Sequence, residues 1–120
     1  MSDEFTQVAT KEINEELDGI EGILNSCTND DDITNNSTDI EKHLHKIKGL
    51  APMMGQKGVG EIAALNDTLM KKIIGGQIVE DIFEISNESI HLMKNLMNGS
   101  TTNIAELKTK LKTRYSEFFD

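Results

Sequence analysis

Apolar residues recur every three to four positions along most of the chain, and this spacing constrains the fold more than any other feature. In the first segment, for example, one helical face carries Ile13, Leu17, Ile20 and Leu24. The strict alternation of apolar and polar residues that is typical of a half-buried strand does not occur. The sequence therefore predicts an all-α protein.

The spacing divides the chain into five predicted helices, at about 3–26, 38–54, 58–74, 79–97 and 102–118. The second helix is expected to begin near Thr38, because Thr38 and Glu41 have the Thr-x-x-Glu spacing of a capping box. The polar stretch 28–39 is predicted to be a loop. Because short connections favour antiparallel neighbours, we expect an up-and-down antiparallel four-helix bundle with a fifth terminal helix, in a single domain spanning residues 1–120.

Composition and charge exclude several kinds of partner. The formal net charge of −9 argues against binding to a nucleic-acid backbone. No run of about 18 apolar residues is present, so no membrane span is predicted. The acidic N-terminal residues do not resemble a signal peptide, and Cys27 has no second cysteine with which to form an internal disulfide. We therefore expect a cytoplasmic protein without a nucleic-acid or membrane partner.

The stretch HLHKIKGLAPMMG, residues 43–55, contains the most reactive combination of side chains. On a helical wheel of about 100° per residue, His45 points away from the apolar stripe and His43 lies roughly 160° from it. The two histidines are therefore not expected to share a site. Lys48 follows His45 by one turn, and Gly49 leaves open space beside the imidazole.

An exposed imidazole on a rigid helix can act as a nucleophile near neutral pH. Attack of a ring nitrogen on phosphorus would give a phosphohistidine, and the Lys48 ammonium would offset the phosphoryl charge. The other ring nitrogen needs an acceptor, so a carboxylate is expected on the neighbouring helix. Exposed histidines with a lysine nearby are also common on helix surfaces, and spacing alone leaves that interpretation open.

The pattern His45-Lys46-Ile47-Lys48-Gly49 resembles the H-x-x-K-G signature of histidine phosphotransfer (HPt) domains. Within this family, HKIKGLAPMMG is most similar to the N-terminal phosphotransfer domain of the chemotaxis histidine kinases of the CheA type. The resemblance extends to the predicted first helix, DEFTQVATKEINEELDGIEGIL, and to EIAALNDTLMKKIIGGQI in the third.

The resemblance implies a role for individual residues. His45 matches the phosphoacceptor, and Lys48 matches the lysine that favours the phosphoryl group. Gly49 matches the small residue that lets a partner approach, and Gly55 matches a glycine in a tight helix crossing. Lys42 lies one turn before His45 on the same outer face. Together with Gly49 it is predicted to form part of the partner-binding surface.

The sequence departs from the family at three positions. Asp67 stands where the family has a glutamate that holds the second ring nitrogen, and it is one methylene shorter. Ala64 stands in the place of a histidine and cannot join a relay. Pro52 removes a backbone donor and disfavours helical geometry at Ala51, so a kink or an irregular turn is predicted there, within the expected partner-binding surface.

The implied function is that of a phosphocarrier. An ATP-dependent kinase domain would phosphorylate His45, and the group would pass to an aspartate in the receiver domain of a response regulator of the CheY or CheB type. The sequence contains no Gly-rich nucleotide loop and no metal motif, so no cofactor is expected in this domain and ATP and Mg²⁺ would bind to the partners. The domain alone would then be a carrier within a longer multidomain histidine kinase. Two alternatives are a free-standing phosphorelay protein and a helical adaptor without phosphoryl chemistry.

Overall fold

The computed structural model describes residues 3–100 and 103–119, and within these ranges the chain is helical, without strands. The all-α prediction is therefore confirmed. Six α-helices are described, one more than predicted, together with two short 3₁₀ turns at Pro52–Met54 and Ser116–Phe118. The helices are α1 (Asp3–Asn25), α2 (Asp30–Asn35), α3 (Ser37–Leu50), α4 (Lys57–Ile74), α5 (Ile82–Met97) and α6 (Ala105–Arg114).

The additional helix, α2, lies in the stretch 28–39, where a loop was predicted. The Asn29 side chain caps α2 by accepting a hydrogen bond from the backbone N–H of Asp32 at 2.9 Å. Helix α3 then begins at Ser37, directly after Asn36. The predicted capping box is wrong, because Thr38 already lies inside the helix and so is not its N-cap residue.

The long helices bury their apolar faces against one another. Helix α3 packs against α1 and α4, and α5 packs against the same two helices. The centre of the core consists of fully buried aliphatic side chains from these four helices, among them Ile13, Leu17, Leu44, Ile47, Ile62, Leu69, Ile82 and Ile85. No helix in the described residues is both long enough and apolar enough to cross a membrane.

The connection between α3 and α4 is an irregular turn, as predicted from Pro52. Pro52 begins a 3₁₀ turn, and the turn ends at Gly55, whose φ of 76° lies in the left-handed region. Gly55 was expected to lie in a tight helix crossing. A Cβ there would meet nothing within 4 Å, so this expectation is wrong and the glycine serves the turn. The close approach lies instead at Gly60, where a Cβ would lie 3.0 Å from Cγ of Pro52.

Helix α5 begins at Ile82, three residues later than predicted, because Asp81 adopts a φ of 62°. The Asp30 carboxylate accepts hydrogen bonds from the backbone N–H groups of Asp81 and Phe83, at 3.0 and 2.8 Å. A side chain of α2 thus satisfies two donors at the start of α5. Asp30 lies in the stretch 28–39, for which the sequence predicts a loop.

The last predicted helix was placed from about Thr102, which lies outside the described residues. In the described part it is α6, which begins at Ala105 and buries only Leu107 and Leu111. Beyond it, the Tyr115 hydroxyl donates to the backbone carbonyl of Glu80 at 2.5 Å. Burial raises the pKa of Tyr115 to about 12, so this hydroxyl keeps its hydrogen at neutral pH.

Candidate functional site

His45 lies on the outer face of α3, and 62% of its side chain is exposed. Two residues of the same helix that face inward, Leu44 just before His45 and Ile47 two positions after it, are almost completely buried. The predicted orientation of this imidazole is therefore confirmed. An exposed ring on a helix fixed by its buried neighbours is accessible to a partner without any rearrangement of the core.

His43 lies on the other flank of α3, as the wheel predicted. Its Nδ1 lies 2.6 Å from Oε1 of Glu16 on α1, and its ring occupies the space that a side chain on Gly19 would need. Lys46 lies 3.7 Å from the same glutamate. The two histidines are therefore separate, and His43 belongs to the contact between α1 and α3.

Asp67 lies on α4 with only 1% of its side chain exposed, facing the helix that carries His45. Its Oδ2 accepts hydrogen bonds from Nζ of Lys48 and Nζ of Lys71, each at 2.9 Å. The same oxygen lies 4.0 Å from Nδ1 of His45. This distance is too long for a direct hydrogen bond. Asp67 is thus near the imidazole as predicted, but its short contacts are with the two lysines.

Glu41 and Lys71 are the two members of the site that the sequence analysis missed. Oε2 of Glu41 lies 3.8 Å from Nδ1 of His45 and 4.0 Å from Nζ of Lys71. A signal was present in the sequence, because Glu41 precedes His45 by four residues and Lys71 follows Asp67 by four. Residues at this spacing are neighbours on a helix surface.

The two carboxyl groups of the site have pKa values shifted in opposite directions. Burial alone would raise the pKa of Asp67, but hydrogen bonds from Glu41, Lys48 and Lys71 outweigh it and hold this pKa below its usual value. Hydrogen bonding to Asp67, followed by burial, raises the pKa of Glu41. The hydrogen bond to Asp67 also raises the pKa of Lys71, which keeps its ammonium group charged.

The remaining predicted site residues were expected to form the partner-binding surface. Lys42, Gly49 and Pro52 are all exposed. A Cβ on Gly49 would meet nothing within 4 Å, which agrees with the predicted open space. Ala64 is not part of the polar cluster and lines a groove with Glu61 and other residues of α4 and α6.

Three of these side chains have the ligand types for a metal ion. Glu41, His45 and Asp67 can each offer one atom within 4.8 Å of the others. Oδ2 of Asp67 is already contacted by the ammonium groups of Lys48 and Lys71. A divalent cation bound to this oxygen would have to displace both. The arrangement is better suited to an anionic group that approaches the two lysines than to a resident metal.

Comparison of the chain with models of protein families, with curated protein sequences and with solved structures gives no match. The chemistry of the site is therefore inferred from its own geometry and from the motif around His45.

Proposed function

We propose that this chain is a histidine phosphotransfer domain that carries a phosphoryl group on His45. The observation that carries the proposal is an exposed imidazole beside two ammonium groups, those of Lys48 and Lys71, which a buried carboxylate holds in place. A phosphoryl group on the imidazole would add negative charge next to these cations. The open space at Gly49 leaves room for the backbone of a partner.

Nε2 is the ring nitrogen that would receive the phosphoryl group. Nδ1 is the nitrogen that lies near the carboxylates of Glu41 and Asp67, which leaves the lone pair of Nε2 for attack. Nε2 forms a bond to the γ-phosphorus of ATP while the bond from that phosphorus to the bridging oxygen breaks, and ADP leaves with the electron pair. The ring becomes cationic while Nδ1 keeps its hydrogen, and the adjacent carboxylates stabilise that charge.

The second half of the reaction returns the electron pair to Nε2. A carboxylate oxygen of a receiver-domain aspartate attacks phosphorus, the P–N bond breaks, and the phosphoryl group leaves on the aspartate. In this proposal the donor is an ATP-binding kinase domain, and the acceptor is a response regulator of the CheY or CheB type. ATP and Mg²⁺ bind to those partners. The domain is cytoplasmic and forms part of a chemotaxis histidine kinase.

The proposed architecture is the up-and-down antiparallel four-helix bundle, with α6 as the fifth, terminal helix beside it. The packing of α3 and α5 against both α1 and α4 supports this arrangement. Two ion pairs connect α6 to its neighbours, from Lys108 to Glu61 and from Lys110 to Glu88. In such a bundle the outer face of α3 stays free for a transient partner.

A small phosphoryl donor tests the proposal without a partner protein. Incubation with phosphoramidate should add one phosphoryl group to the protein, visible by mass spectrometry as an acid-labile, alkali-stable modification. His45→Gln should abolish it. His43→Gln is the matched control, because this histidine lies on the other flank of α3 and pairs with Glu16, and it should retain the modification.

Two outcomes would overturn the carrier proposal. One is a wild-type protein that remains unmodified, and the other is an undiminished phosphohistidine on His45→Gln. Either result would favour the helical adaptor without phosphoryl chemistry. A second experiment uses labelled ATP, a histidine kinase catalytic domain and a receiver domain. It measures transfer of the label to this chain and then its loss to the receiver domain, and it tests the assignment to a signalling kinase against that to a free-standing phosphorelay protein.

A further inference from the structure

The capacity of Asp67 to accept hydrogen bonds is already used on the side that faces His45. Its Oδ2 accepts from two ammonium groups at 2.9 Å. Its Oδ1 is buried and has no hydrogen-bond partner among residues 3–100 and 103–119. A carboxylate oxygen with two short ammonium contacts is a poor acceptor for a third donor. Asp67 is therefore poorly placed to hold Nδ1 of His45 itself.

Glu41 is less occupied as an acceptor than Oδ2 of Asp67, because apart from its interaction with Asp67 it has no short contact with an ammonium group in the described residues. Its Oε2 lies 3.8 Å from Nδ1 of His45, and its ion pair with Lys71 is long at 4.0 Å. The carboxylate stands one turn before the imidazole on the same helix, so their relative position does not depend on the contact between α3 and α4. Only 17% of the Glu41 side chain is exposed, which limits competition from solvent.

We infer that Glu41 is the positioning residue of His45: its carboxylate, 3.8 Å from Nδ1, moves within hydrogen-bond distance and accepts the Nδ1 hydrogen, while Asp67 serves to hold Lys48 and Lys71. The consequence for phosphoryl transfer rests on the proposed function. A carboxylate at Nδ1 favours the tautomer with its hydrogen there, which leaves the Nε2 lone pair free to attack. The same carboxylate stabilises the cationic ring that forms when Nε2 bonds to phosphorus.

The tautomer of His45 can be measured by ¹⁵N NMR of the imidazole nitrogens, at a pH where the ring is neutral. An unconstrained histidine favours the hydrogen on Nε2. The wild-type protein should instead show the Nδ1–H tautomer as the major form. Glu41→Gln should shift His45 towards Nε2–H, and Asp67→Asn should shift it less. The phosphoramidate reaction of Glu41→Gln should slow by about tenfold.

Asp39→Asn is the matched control, because it removes an exposed carboxylate from the same helix outside the site. It should change neither the tautomer nor the reaction. An unchanged tautomer in Glu41→Gln, or a shift in Asp67→Asn as large as that in Glu41→Gln, would overturn the inference. The NMR measurement needs no phosphorylation. If the wild type and the variants show the expected tautomers but phosphoramidate does not modify the wild type, the carrier proposal is refuted and the inference on Glu41 is not.

Discussion

Lys48 on α3 donates to Asp67 on α4 across 2.9 Å, and this contact connects the helix of the candidate phosphoacceptor to its neighbour. The carboxylate is buried and the ammonium group reaches the surface. Lys71 adds a second short contact to the same oxygen from within α4. Asp67 thus makes two kinds of contact that can be separated by experiment. It connects α4 to α3 through Lys48, and it holds two ammonium groups on the oxygen that lies 4.0 Å from Nδ1 of His45.

Asp67→Asn should destabilise the protein in a pH-dependent manner. The pKa of Asp67 is lower in the folded protein than in the unfolded chain. The carboxylate therefore contributes its full stabilisation at pH values above the unfolded-state pKa, and this contribution is lost as the pH falls through the folded-state pKa. At neutral pH we expect a loss of about 1–3 kcal/mol in the free energy of unfolding, a range that allows for the solvent exposure of the lysines. Urea unfolding measures it. The difference from wild type should shrink as the pH falls below the ordinary pKa of an aspartate; a difference independent of pH would contradict the assignment.

Replacement of either lysine should slow the chemistry at His45. Lys48→Met and Lys71→Met each remove one cation beside the site, and we expect each to reduce the rate of phosphoramidate phosphorylation by about tenfold, or about 1.4 kcal/mol. Lys72→Met is the control, since it removes a cation next in sequence to Lys71 that has no hydrogen bond or ion pair with Asp67 in the described part of the chain. Equal rates in the Lys71 and Lys72 variants would remove Lys71 from the site.

Gly49→Ala should separate stability from partner recognition. Alanine is favoured over glycine inside a helix, so the variant should gain about 0.5–1 kcal/mol in the free energy of unfolding. Gly22→Ala is matched, because both glycines are exposed, lie in helices and have open space around a Cβ. Both should be stabilised and both should react normally with phosphoramidate. Only Gly49→Ala should slow phosphoryl transfer from a kinase domain or to a receiver domain; equal transfer rates would argue against partner approach at this glycine.

Asp30→Ala should destabilise the start of α5, although the residue lies far away in the sequence. The carboxylate accepts from two backbone N–H groups there, and loss of a comparable helix cap costs about 1 kcal/mol. Asp31→Ala provides the control, because that neighbouring side chain is exposed. The two variants are compared by thermal unfolding. Hydrogen exchange should show faster exchange at Asp81 and Phe83 in Asp30→Ala alone.

Helix positions followed well from the sequence, but their ends did not. The apolar spacing predicted the four long helices to within a few residues, because burial of one face dominates their placement. It did not predict α2, which has only six residues and buries only Ile33. The capping box at Thr38 failed because Asn29 and Asn36 occupy the cap positions in this stretch. Such short-range choices depend on side-chain hydrogen bonds that have several alternatives in an Asn- and Asp-rich segment.

The candidate site could be predicted only in part, because some of its features belong to one helix and others depend on the packing of two. The outward direction of His45, its separation from His43 and the open space at Gly49 are properties of one helix, and helical periodicity determines them. Which carboxylate is nearest to Nδ1, and which lysines contact Asp67, depends on how α3 packs on α4. A change of about 1 Å between two helices decides between a hydrogen bond and a 4.0 Å contact.

The sequence by itself determined an acidic all-α chain with an exposed histidine, a lysine one turn later and a glycine beside them. The tertiary structure alone decided that Lys48 contacts the buried Asp67, that Asp67 stays 4.0 Å from Nδ1 of His45, and that Asp30 reaches the start of α5. The reason is that periodicity is a local property of the chain. Pairing between side chains of different helices requires the relative position of those helices, which the packing of the whole core sets.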